Sequence, residues 1–490
     1  MNNSRLRAWS MAIVIIAALT FLNASGLRSD AQSSPELRAA RVEKALPPGI
    51  VIAGRLPVLK SLSERMAELK IPGASVAVIN GGAVEWAKGY GVIETGASTP
   101  VTPRTLFQAA SISKSIAALA ALLLVEQGKL SLDEDVNMRL KSWKVPDNEF
   151  TRTEKVTLRR LLSHTAGLTV HGFGGYPADA PVPSVVQVLD GQKPANSEAV
   201  RVEAVPGSRM SYSGGGFTVM QQLVTDVAGK PFPALLSELV LKPLGMDDST
   251  YEQPLPSARR SDAASGHLSD GRLLPGRFHI YPEMAAAGLW TTPTDLARFL
   301  IEIQRALQGR SSVISKETAR LMTTIVMDGY GLGLSLQGTG PSATFGHGGS
   351  NEGFKCSMAA FIESGQGFVV MTNGDRGGWL DAEIRRAVAR EYGWPAFQPR
   401  EKTVVRVDPA VLASYVGRYE LRPGKTIDLA LEGDKLFAID GQVKVELYAE
   451  TENRFFDLVE EHEITFLKGA GGKVTHMIVD GELKAPRVGS

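Results

Sequence analysis

The apolar and polar positions alternate with different periods along the chain. Residues 57–73, "PVLKSLSERMAELKIPG", repeat at helical spacing and run to Gly73, a natural helix terminator. Residues 74–92 carry two β-rich runs around Asn80-Gly81-Gly82 and predict a hairpin. Residues 106–128, "LFQAASISKSIAALAALLLVEQG", are apolar almost all round, the pattern of a helix buried in the middle of a domain. From about 130 to 310 helical patterns mix with turn-rich loops, and Thr292-Pro293-Thr294-Asp295 marks one helix start. Strand patterns return at "ATFGHGG", "FKCSMAAFIE" and "GFVVMTN", with "SGQG" turning between the last two, and "LDAEIRRAVAREYG" reads as a closing helix. Strands at both ends around a helical middle predict an α/β (α+β) domain: one sheet built from both ends, flanking helices and an inserted helical lobe.

"WPAFQPREK" reads as a linker, and beyond it the period shortens. Eight short alternating runs, from "YVGRYEL" to "ELKAPRV", are separated by Gly, Asp and Asn turns. They predict a second, all-β domain, a barrel or a sandwich, over 405–490 after a first domain at 32–400.

Composition narrows the class. The 490 residues, 43% hydrophobic and 21% charged, are ordinary for a globular protein of two or more units. A net charge of +1 without basic runs argues against nucleic acid as a partner. Arg5 and Arg7 precede the apolar "WSMAIVIIAALTFL" and the small, polar "NASGLRSDAQSS". That is the layout of a signal peptide over 1–31, with cleavage after Gly26 or Ala31 and a secreted or periplasmic product. The apolar run is short of the ~20 residues of a membrane span, so no stable membrane insertion is expected after cleavage; a retained N-terminal anchor is the alternative. Cys356 is the only cysteine, which excludes an intramolecular disulfide, and its apolar surroundings suit a buried strand residue. Nothing in the chain sets an oligomeric state.

Candidate chemistry centres on three serines, at 111, 113 and 115, with Lys114 among them. Only Ser111 has a lysine three residues on, one helical turn away and on the same face. There the N-terminal N–H groups favour a developing oxyanion, and a buried amine can fall far enough in pKa to accept the hydroxyl proton. The structural alternative is a capping Ser111 with Lys114 snorkelling to solvent. Tyr212, in "MSYSGGG", stands in a tight loop before a helical pattern, where a tyrosine beside an amine can act as a general base. His347 is followed by Gly348 and Gly349 at a strand end, where glycines admit a substrate and the Ser350 N–H can supply an oxyanion donor. His164, in "LLSHTAGL", pairs with no serine by sequence and reads as structural. The histidines lack metal-ligand spacing, so neither metal nor cofactor is expected.

In this order and spacing the motifs resemble those of the serine β-lactamase and penicillin-binding-protein superfamily. Ser111-Ile112-Ser113-Lys114 matches the nucleophile motif, Tyr212-Ser213-Gly214 the Tyr-x-Asn motif, and His347-Gly348-Gly349 the Lys-Thr-Gly motif. "LLSHTAGL", "LKPLGM" and "GLWTTPTDLARF" also look familial, and the resemblance covers about residues 55–395. The branch it resembles holds class C β-lactamases, DD-peptidases, D-aminopeptidases and related carboxylesterases; the C-terminal domain resembles their lipocalin-like appendages. The resemblance implies a serine hydrolase of small ester, amide or β-lactam substrates, with Ser111 acylated, the Lys114–Tyr212 pair taking the proton, and His347 orienting Tyr212 or touching substrate. Gly214 stands where relatives carry the amide-binding Asn, and His347 where they carry the carboxylate-attracting Lys. These departures favour an esterase over a β-lactamase, DD-peptidase or D-aminopeptidase. The alternative of another class is a non-hydrolysing penicillin-binding or sensor protein.

Overall fold

The computed structural model describes residues 34–488, so the expected signal peptide lies outside the described residues. The catalytic-type domain is laid on a six-stranded antiparallel sheet. Its strands are β1 (Gly73–Asn80), β2 (Ala83–Gly91), β3 (Ser335–Gln337), β4 (Thr344–Asn351), β5 (Phe354–Phe361) and β6 (Gly367–Thr372), in the order β2-β1-β6-β5-β4-β3. Both chain ends of the domain thus feed one sheet. The β1–β2 hairpin turns at Gly81 and Gly82, at φ 60° and 74°, a left-handed pair that suits only small residues.

Helices α1 (Leu62–Leu69) and α5 (Gly377–Glu391) pack together, α5 against β5 and β6, while α4 (Pro293–Leu307) packs against β1, β2, β5 and β6. Thr292 caps α4 by accepting from the Asp295 N–H, with Pro293 in the first turn, as the sequence predicts. Helix α1 departs from the prediction. It ends at Lys70, left-handed at φ 56°, whose N–H closes on Ala67 O and Met66 O. Gly73 instead opens β1, where a Cβ would lie 2.5 Å from Val92 O.

The apolar stretch 106–128 is also subdivided. Phe107–Gln108 forms a short strand against Trp290–Thr291, Ala110–Ile112 a 3₁₀ turn, and only Ser113–Glu126 the helix α2. Its residues from Ser113 to Leu124 are all buried, as the all-round apolar pattern requires. The helical lobe, with α3 (Gly214–Ala228) at its centre, packs on α2.

The C-terminal unit is a closed antiparallel barrel of eight strands, β7 (Gly417–Arg422), β8 (Lys425–Glu432), β9 (Lys435–Asp440), β10 (Val443–Ala449), β11 (Arg454–Phe456), β12 (Glu463–Lys468), β13 (Val474–Val479) and β14 (Leu483–Val488). Closure removes the exposed edges that so many short strands would otherwise leave. The expected linker is less free than its prolines suggested. Arg400–Lys402 pairs in parallel with Ile50–Ile52, and Lys402 and Arg400 hold Glu463 of the barrel at 3.0 Å and 2.5 Å. Among the described residues no helix is long and apolar enough to cross a membrane.

Candidate active site

Three elements converge on one cavity of about 500 Å³: the 3₁₀ turn before α2, the loop entering α3, and the edge of β4. Ser111, Tyr212, His347, Gly349 and Ser350 all line it. Ser111 sits on a bent backbone. Ala110, just before it, is left-handed at φ 47°, a conformation costly for a residue with a Cβ and common where function holds it.

The structure separates the three serines. Ser113 Oγ accepts from the Leu289 N–H at 3.0 Å, and Ser115 Oγ donates to Gly333 O at 2.7 Å; both are buried and occupied in packing. Ser111 is half-buried and receives the Lys114 Nζ at 3.1 Å, and its hydroxyl lies beside the Tyr212 phenol on the same cavity.

Lys114 does not snorkel. Its amine is buried, donates to Ala286 O at 2.8 Å, and lies 4.9 Å from the Tyr212 ring centroid and 5.8 Å from that of Phe217. Among the described residues no carboxylate compensates, so desolvation pulls its pKa from 10.5 down to about 7, against the ring faces that favour an ammonium. Tyr212 moves the other way. Burial raises it to about 12, opposed by the Ser111 hydroxyl, so the phenol is neutral at ordinary pH. Of the expected proton-accepting pair, the lysine is the member poised to accept.

His347 stands on β4 with its ring buried. Its Nδ1 donates to Gly348 O at 2.5 Å, so its Nε2 accepts from Tyr330, 2.8 Å away. Its ring centroid is 6.2 Å from that of Tyr212, and the side chain it bonds is Tyr330. Burial, with Lys114 nearby, holds His347 down to about 4, hence neutral. Gly349 needs its missing side chain: a Cβ would lie 2.3 Å from Ala109 O and 2.6 Å from Cys356 Sγ. β4 extends past β3, which pairs only with 344–346. The Gly346 carbonyl accepts from Ser335 Oγ on that edge, so strand alternation turns the Gly348 and Ser350 backbones to the same edge, now unpaired. The Ser350 N–H therefore points to the unpaired edge, on the cavity that Ser111 also lines.

Gly214 opens α3 just after the capping Ser213. A Cβ there would meet the Phe173 ring at 3.0 Å, so a side chain at 214 fits only if that ring shifts. His164, read as structural from sequence, is buried behind the site with φ 57°. Its Nδ1 accepts from the Ser213 N–H at 3.0 Å, and its ring packs 4.2 Å from Tyr212 and 4.7 Å from Tyr330. It is structural in a specific sense: it fixes the loop that presents Tyr212. Tyr330 has no counterpart in the sequence reading, because nothing in "MDGYGLG" signals a histidine partner 17 residues on. Among the described residues no group of three or more His, Cys, Asp or Glu could hold a metal ion.

A buried lysine against a serine, facing a glycine-rich strand edge on this sheet-and-lobe fold, defines the serine β-lactamase and penicillin-binding-protein superfamily. The Beta-lactamase family model matches residues 59–392, and the chain belongs to that family. A domain of unknown function, DUF3471, matches 401–486, the barrel. Penicillin-binding protein 4* of Bacillus subtilis (strain 168) is similar at 25% identity over 84% of this chain and 93% of its own. Among solved structures, the octameric penicillin-binding protein homologue from Pyrococcus abyssi superposes with TM-score 0.60 at 25% identity, covering 86% of this chain and 98% of that one. The D-amino acid amidase from Ochrobactrum anthropi SV3 shares the fold at TM-score 0.54 and 23% identity, over 67% of this chain and 94% of its own.

Proposed function

We propose that the protein is an exported serine hydrolase that acylates Ser111 and prefers small esters. The observation that carries this reading is the desolvated Lys114 amine at 3.1 Å from Ser111 Oγ. The neutral amine takes the hydroxyl proton as Oγ attacks the substrate carbonyl carbon. The Ser111 and Ser350 N–H groups hold the oxyanion. Collapse of the tetrahedral species expels the leaving group, which takes the proton from the Lys114 ammonium, directly or through the Tyr212 phenol. Water, deprotonated by the same amine, then attacks the acyl-enzyme, releasing the acid and restoring Ser111.

Two features support esters over β-lactams and peptides. Gly214, packed against the Phe173 ring, has no side chain that could bond a substrate amide, and at His347 the cavity offers a neutral ring rather than a cation for a carboxylate. The test compares kcat/KM for p-nitrophenyl butyrate and nitrocefin. The ester should be turned over faster by at least tenfold, and equal rates would overturn the preference. The amidase among the fold relatives makes D-amino acid amides the natural third substrate in that assay.

A further inference from the structure

The barrel encloses a second cavity, of about 490 Å³, that takes no part in the chemistry above. Eight strands leave an interior that side chains can just fill or that can hold one small ligand, and here the two ends differ. At one end Tyr415, Tyr419, Phe455 and Phe466 fill the interior, with Tyr415 stacked on Phe466 at 4.1 Å. The short helix Pro409–Tyr415 closes that end, its Tyr415 hydroxyl donating to Glu452 O in the β10–β11 turn. At the other end, where the hairpins at 422–425, 440–443 and 479–483 and the 457–462 loop turn, the inward strand positions carry apolar residues without aromatic rings, such as Ile427, Ala438, Val445, Leu447 and Met477. They leave the space between them open, and at the lip Val443 and Leu483 are 59% and 42% exposed.

The mouth is acidic. Asp440, Asp457, Glu460, Asp480 and Glu482 line it with His462, and no lysine or arginine does; the buried Asp457 carboxylate is taken up by the backbone N–H groups of 459–462. Lys425 matches Asp440 at 2.5 Å, and His462 Nδ1 meets Asp480 at 2.7 Å. Among the described residues no cation is paired with Glu460 or Glu482. An apolar chamber behind uncompensated carboxylates selects a particular ligand chemistry. We propose that the barrel binds a free single-chain amphiphile with a cationic head, its alkyl chain inside and its head between Glu460 and Glu482. Burial of the chain supplies affinity, about fourfold per methylene. The carboxylates supply selection, since an anionic head of the same chain would face like charge. This site is independent of the reaction at Ser111.

The test is isothermal titration of the full chain with octyl-, decyl- and dodecyltrimethylammonium, each below its micellar concentration, and with decyl sulfate. One site per chain is expected, tightening about fourfold per methylene until the chain outgrows the cavity, with decyl sulfate at least tenfold weaker than decyltrimethylammonium. Glu460→Gln with Glu482→Gln should remove most of that tenfold gap by weakening the cation. Ala438→Phe, which fills the chamber, should abolish binding of both. Both glutamates are exposed, so the glutamine pair decides the matter even where Ala438→Phe fails to fold. Equal affinity for the sulfate, no dependence on chain length, binding untouched by Ala438→Phe, or binding only to vesicles containing a cationic lipid would each overturn the proposal.

Discussion

Replacing Lys114 by methionine should abolish hydrolysis and, at neutral pH, stabilise the fold. The amine is buried with a pKa of about 7 against 10.5 in the unfolded chain. Between those values the unfolded state binds a proton that the folded state does not, so the penalty on the folded state is complete below about pH 7. It falls as the pH rises toward 10.5, and stability therefore increases with pH. From the two pKa values the penalty is on the order of 4 kcal/mol at pH 7 and about 2 kcal/mol at pH 9. Methionine carries none of it but loses the bond to Ala286 O, a pH-independent cost of about 1–2 kcal/mol. The net gain is thus about 2–3 kcal/mol at pH 7 and near zero at pH 9. Thermal unfolding of both proteins at the two pH values measures it, at roughly 2 °C per kcal/mol for a domain of this size. A stability gap that does not change between pH 7 and pH 9 would refute a desolvated amine at this site.

Three other outcomes follow from the same geometry. For p-nitrophenyl butyrate, kcat/KM should fall about tenfold per pH unit below about 7 as Lys114 protonates, and a flat profile from pH 5 to 8 would remove the lysine as base. Tyr330→Phe leaves the buried His347 Nε2 without its donor and should cost about 1–3 kcal/mol of stability in urea unfolding. A loss of activity without that cost would move Tyr330 into the chemistry. Gly214→Asn alone should gain no amide turnover because the Phe173 ring crowds the position, whereas Gly214→Asn with Phe173→Ala should raise the amide-to-ester ratio about tenfold. A gain in the single variant would contradict the steric argument.

The sequence was most legible where a local rule has one outcome. The left-handed pair Gly81-Gly82 and the Thr292 cap each have one inexpensive geometry, and the chain adopts it; the eight alternating C-terminal runs set the strands, and barrel rather than sandwich is decided by closure between the first and last of them. The contact between Ser111 and Lys114 was legible too, because a three-residue spacing closes on one face whether the turn is 3₁₀ or α. Less legible were features fixed by tertiary contact. Lys70, not Gly73, takes the left-handed turn that ends α1, and Gly73 is needed instead for its close approach to Val92. Likewise the direction of the Tyr212 shift depends on how completely the loop is buried, which no spacing reveals. His347 turns to Tyr330, and His164 sits behind Tyr212, through contacts between segments far apart in the chain.

Intact-protein and peptide mass spectrometry after mixing with a p-nitrophenyl ester tests the central claim most directly. The account predicts a single acyl adduct on the peptide bearing Ser111, present in Ser113→Ala and Ser115→Ala and absent in Ser111→Ala. An adduct that persists in Ser111→Ala, or that maps to another residue in the wild type, would contradict it.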